Sequence, residues 1–159
     1  MINIKNLEES IKKLILPIVS EKKYKAYKSE ELKELKIYTG LLPPDPEETI
    51  LPAITIRTQK VKNSLEKKVF TVLICTGIFD KDVEKGYEEI SELTQKIFDE
   101  IQKVGIIEDK FEILPEAEWE FPEEQPIPFY VSFIYINIVY EKDYRIDSDN
   151  WINGGDWIG

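Results

Sequence analysis

The chain has 159 residues, a length that suits one domain, and 42% of them are hydrophobic, enough for a real core. It carries 31 acidic against 21 basic residues and no histidine, for a net charge of -10. That balance argues against free nucleic acid and against an anionic membrane surface, because both need a basic surface, while a basic protein surface remains a compatible partner.

Cys75 is the only cysteine, so no intrachain disulfide can form. Within Val72-Leu73-Ile74-Cys75-Thr76 it reads as a buried small hydrophobe, which fits a reducing compartment. Met1 to Glu9 shows no signal-peptide pattern, and no stretch approaches the ~20 apolar residues of a membrane span. The expectation is a protein that is cytoplasmic when made.

The first periodic segment places Leu7, Ile11, Leu14, Ile15 and Ile18 on one helical stripe. Asn6 followed by Glu9 resembles a capping signal, and Pro17 predicts that the helix ends near Leu16. Residues 21–42 leave two alternatives open. Ser29-Glu30-Glu31-Leu32 could cap a short helix carrying Leu32 and Leu35, or the parts around Tyr24, Tyr27 and Tyr38 are extended. Pro43, Pro44, Pro46 and Pro52 then predict a stiff connection.

Ala53 to Thr58 is short and β-branched, Lys62-Asn63-Ser64 marks a loop, and Lys68 to Phe79 predicts a long strand. Its two apolar faces place that strand centrally, antiparallel to the one before it. The clearest helix follows, with Tyr87, Ile90, Leu93, Thr94, Ile97, Phe98, Ile101 and Val104 on one face and Gly105 as its C-terminal cap. Two more strands are expected, Lys110 to Phe121 and Phe129 to Glu141, joined by the proline-rich segment 122–128. The predicted fold is α+β: an antiparallel four-stranded sheet flanked by two main helices, with an extended C-terminal tail. Residues 1–141 form the domain and 142–159 the aromatic, acidic tail.

The search for chemistry yields no catalytic, cofactor or metal residues. Without histidine there is no Ser-His or Cys-His pair and no imidazole ligand, and no phosphate-binding glycine motif occurs. Asp80, Asp82 and Glu84 alternate as cation ligands could, but Lys85 and Ser91 occupy the positions where an EF-hand needs glycine and glutamate. Acids that cap the following helix explain this cluster better. Glu116, Glu118 and Glu120 alternate on one strand face, with Ala117, Trp119 and Phe121 on the other. That is the pattern of a solvated face, with no second catalytic group beside it. Trp151 and Trp157 in the tail are candidate docking residues, either onto their own domain or onto a partner.

Two stretches carry a resemblance: Val72 to Asp82 running into Gly86-Tyr87-Glu88-Glu89-Ile90-Ser91-Glu92-Leu93, and Trp119-Glu120-Phe121-Pro122-Glu123-Glu124-Gln125-Pro126-Ile127-Pro128-Phe129-Tyr130. Together, over roughly residues 50–141, the chain resembles the tail-terminator (tail-completion) proteins of tailed bacteriophages and phage-like particles. The resemblance implies a structural assembly protein rather than an enzyme. Such proteins cap the head-proximal end of a tail tube as a hexameric ring, end polymerisation and present a surface to the neck or connector. The implied partners are further copies of the chain, the tube protein, and sheath or neck proteins. The implied location is the bacterial host cytoplasm during assembly and then the virion or particle. Pro122, Gln125, Pro126 and Pro128 join Trp151 and Trp157 as candidate interface residues, since a proline-stiffened loop is cheap to order. A head–tail joining protein, a metal-dependent enzyme using Asp80, Asp82 and Glu84, and a cytosolic adaptor are the alternatives.

Overall fold

A computed structural model describes residues 3–45 and 50–141. Helix α1 (Ile4–Val19) is followed by strands β1 (Lys23–Lys25), β2 (Leu32–Glu34), β3 (Lys36–Thr39), β4 (Ala53–Asn63) and β5 (Lys67–Phe79). Helix α2 (Val83–Val104) then leads to β6 (Ile106–Ile107), β7 (Phe111–Ile113), β8 (Glu118–Glu120) and β9 (Phe129–Glu141).

The α+β class holds, but the four-stranded antiparallel sheet does not. The main sheet has seven strands, in the order β3-β4-β5-β9-β7-β6 with β8 also on β9, and it curls into a half-barrel. It is mixed, because β3 runs parallel to β4, and β1 and β2 form a separate antiparallel pair. Two causes account for the difference. Around Tyr24 and Tyr38 the chain takes the extended alternative, in β1 and β3, and Leu32 and Leu35 are not on a helix, while Tyr27 lies in a turn; Tyr24, Leu35 and Ile37 are buried in the core. The strand expected over 110–121 is broken at Pro115, which has no N–H to donate. Ile113 faces Ile138 and Glu118 faces Tyr135, so five residues advance against three on β9, and two are looped out.

β5 is central, paired along its length with β4 on one side and β9 on the other. Both helices lie on one face of the sheet. The core joins Leu7, Ile11 and Ile15 of α1 and Ile90, Ile97 and Ile101 of α2 to Val72, Ile74, Ile134, Ile136 and Ile138 of the sheet, all 0% exposed. The N-cap of α1 lies three residues before the expected one: the Asn3 side chain accepts from Asn6 N–H at 2.8 Å. It also runs past Pro17 to Val19, where the Ser20 backbone N–H and hydroxyl both donate to Leu16 O.

α2 starts at Asp82, whose side chain accepts from Glu84 N–H and Lys85 N–H, and ends at Gly105 with φ 72°. That conformation favours glycine and suits a C-terminal cap. Inside this apolar layer Thr94 Oγ1 lies 2.6 Å from Ser132 Oγ and 2.6 Å from Ile90 O, with both side chains fully buried. Among the described residues, no helix is long and apolar enough to cross a membrane.

Candidate interface surfaces

The acidic turn before α2 is engaged internally. Asp80 is fully buried, and both its carboxylate oxygens lie 3.2 Å from Lys25 Nζ. Oδ1 also accepts from Asp82 N–H at 2.9 Å. Asp82 in turn caps the helix, as acids near a positive helix end should. Beside them the Tyr130 hydroxyl is buried and has no protein partner among the described residues. Burial, then the charges of Asp80 and Asp82, push its pKa up. Among the described residues, no group of three or more Asp, Glu or Cys side chains is arranged to hold a metal ion.

The loop 122–128 is anchored to the domain at several points. The Gln125 side chain clamps the start of β9: Nε2 donates to Val131 O at 3.0 Å, and Oε1 accepts from Val131 N–H at 2.8 Å. Pro126 O accepts from Phe129 N–H at 2.9 Å, and Pro128 O accepts from Asp80 N–H at 3.1 Å. Gln125 and Pro128 are therefore half-buried clamps, while Ile127 at 58% and Pro126 face outward. Pro122 is half-buried, and the neighbouring Glu123 and Glu124 are exposed. Trp151 and Trp157 lie outside the described residues.

Sequence reasoning did not find the face of the sheet that carries no helix. Across the strands, one row there is Arg57, Leu73, Tyr135 and Glu118, and the next is Thr55, Cys75, Phe133 and Glu120. A bulge in β4 makes Lys60 the partner of Thr71 and Lys62 the partner of Val69. Were Gln59 paired as in a regular strand instead of bulged out, the period-2 pleat would turn both lysines to the other face. On the far side Glu112 pairs with Val139. The open face thus has a cationic column on β4 (Arg57, Lys60, Lys62) and an acidic column on β7 and β8 (Glu112, Glu118, Glu120), all exposed. Half-buried Cys75, Phe133 and Tyr135 lie between. Cys75 is thus half-buried on this face, short of the full burial its apolar run suggested, and burial still raises its pKa against the lowering influence of Arg57 and Thr55.

The cationic column and the Glu118 and Glu120 part of the acidic column run along strand edges, while Glu112 sits on β7 between β9 and β6. β3 pairs with β4 only from Ala53 to Ile56, and Glu8 Oε2 of α1 accepts from Thr58 N–H at 2.8 Å, so β4 beyond Thr58 has no strand partner on that side among the described residues, and β8 pairs only with β9. Among the described residues, Arg57, Lys60 and Lys62 form no ion pair, nor do Glu112 and Glu118. Glu120 accepts from the Tyr135 hydroxyl at 3.1 Å. The hairpin beyond, with Val61 at 39% exposure and Leu65 at 74%, adds Lys67 and Lys68 to the same basic end.

A separate open groove of about 490 Å³ lies between the C-terminal half of α1 and β3, lined among others by Lys12, Leu16, Lys36 and Tyr38. Compared with known proteins, the chain matches no family model and no curated sequence.

Proposed function

We propose that this protein is a structural assembly subunit of a phage or phage-like tail, capping the head-proximal end of the tail tube as a ring and ending its polymerisation. The supporting observation is that the two stretches carrying the resemblance interlock. The first runs from β5 into α2 and the second from β8 into β9. Asp80 N–H donates to Pro128 O, the Tyr130 ring lies against Gly86, which leaves no room there for a Cβ, and the Tyr87 and Phe121 rings approach to 5.8 Å. Phe98 of α2 stacks on Trp119 at 6.1 Å. The pattern matched in sequence therefore belongs to one packed unit rather than to unrelated surface segments.

A metal-dependent enzyme centred on Asp80, Asp82 and Glu84 is disfavoured by the same geometry. Lys25 holds Asp80, and helix capping holds Asp82. A cation would have to displace an ammonium group and uncap α2, against the electrostatics of both.

The test is negative-stain microscopy of particles made with the gene intact and deleted. Overlong or irregular tails, or tails without a head-end cap, are expected from the deletion. Normal capped tails that fail only to join heads would move the assignment to the connector. The absence of tail-like particles from both samples would remove the reading.

A further inference from the structure

The two charged edges of the sheet are complementary to each other. An exposed strand edge offers unpaired N–H and C=O groups, and proteins commonly protect such edges with charge. Here the two edges carry opposite signs. Opposite charges across neighbouring strands are favourable and like charges unfavourable. Joining two β4 edges would set Arg57, Lys60 and Lys62 against themselves, and joining two β8 edges would do the same to Glu118 and Glu120. Joining the β4 edge of one copy to the β8 edge of another pairs cations with carboxylates.

We infer that copies of this chain associate head to tail, with the Arg57, Lys60 and Lys62 edge of one copy against the Glu118 and Glu120 edge of the next. Such a contact uses two different surfaces, leaves one edge of each kind free, and so propagates until it closes into a ring. The inference deepens the capping proposal and rests on it for the closed geometry. The contact itself is a property of the isolated chain.

Sedimentation velocity of the full chain over a concentration series tests it, using wild type, Lys60→Glu/Lys62→Glu, Glu118→Lys/Glu120→Lys, and an equal mixture of the two variants. Wild type is expected to associate beyond a dimer, less strongly at high salt. Each double reversal should weaken association by ~10-fold or more, because like charges then face each other. The mixture should restore it, since the copy with two carboxylates at each edge alternates with the copy that is basic at both edges. Recovery in the mixture also shows that both variants are folded.

A wild type that stays monomeric, a closed dimer as the sole assembly, or association insensitive to either reversal would overturn the inference. The capping proposal fails separately. Normal capped tails from the deletion, beside variants whose mixture recovers association, would remove capping and leave the contact. Caps that form normally on tails from both reversed genes would remove the contact and leave capping.

Discussion

The same strands build both faces of the sheet, and the faces differ in what covers them. On the helix side, Val72, Ile74, Ile134, Ile136 and Ile138 are all 0% exposed against α1 and α2. On the other side Leu73 and Val139 are buried, but Thr71, Cys75, Val131, Phe133, Tyr135 and Asn137 are only half-buried. That open side is itself uneven. Toward Phe79, the Tyr27 ring packs at 5.4 Å on both Phe79 and Phe129, and the Leu51 side chain lies over Gly77. Toward Lys60 and Lys62 nothing comparable lies over it among the described residues. Stability is concentrated on the sealed side, which leaves the open side free to vary in charge at little cost to folding.

Adjacent positions on β9 give the sharpest contrast. Ile136→Ala removes a fully buried side chain and should cost ~2–5 kcal/mol in urea denaturation. Asn137→Ala, one residue along and on the open face, loses only a part-buried hydrogen bond to Thr71 at 2.9 Å, for which ~0.5–1.5 kcal/mol is the expected size. Equal costs would mean that the open face is as well sealed as the covered one.

Next in size is the contact of α2 with β9. A Cβ on Gly86 would fall 2.3 Å from the Tyr130 ring, so Gly86→Ala should cost ~1–3 kcal/mol through overpacking. In a Tyr130→Ala background the clash is gone, and alanine's better helix propensity should make the same change neutral or favourable. A penalty that persists there would show that backbone, rather than the ring, excludes the Cβ. Thr94→Val is the smaller perturbation of the same layer. It leaves the Ser132 hydroxyl buried and unpaired, at about 1–3 kcal/mol, and Thr94→Val/Ser132→Ala should recover part of the loss. A double variant no more stable than the single one would mean that Ser132 finds another partner.

The covered face was largely legible in the sequence, and the open face was not. The α2 stripe from Ile90 to Ile101 and the cap at Gly105 follow a 3.6-residue period with a glycine stop, so local pattern sufficed there, although Tyr87, expected on the same stripe, is 56% exposed. Residues 21–42 leave helix and extended chain open, because Ser29-Glu30-Glu31-Leu32 satisfies a helix-capping pattern while the tyrosines around it suit extended chain. Tertiary pairing, here a parallel partner reached through a proline-rich connection, made the choice. The alternation of Glu118 and Glu120 around Trp119 was visible and holds. Its cationic counterpart was hidden, because Arg57 and Lys60 are out of phase for a regular strand. Only the bulge between Thr58 and Lys60 brings them onto one face. A single inserted residue leaves almost no trace in composition or hydrophobic period, so a surface that depends on one appears only when register is known.

The effect that is smallest at neutral pH comes from tyrosines on the two faces. Tyr24, in the covered core, has its pKa pushed up to about 12, first by burial and then by Glu89 and Glu92. Tyr135, on the open face, is also raised, by burial and then by its hydrogen bond to Glu120 and the charge there. In both the folded state favours the neutral phenol. Their contribution to stability is therefore fully present below the unfolded value of ~10. It is lost as pH rises from there through the folded value, which for Tyr24 means the window up to about 12. Stability measured by denaturation should be flat in this respect from neutral pH to about 9 and then fall. Tyr24→Phe should flatten part of that fall, because phenylalanine has no proton to lose, and phenolate absorbance should show one fewer late-titrating group. Tyr135→Phe should flatten less of it if the open face admits water to the ring. If both substitutions left the alkaline limb unchanged, desolvation of these phenols would have no energetic weight. The difference between the faces would then lie in packing alone.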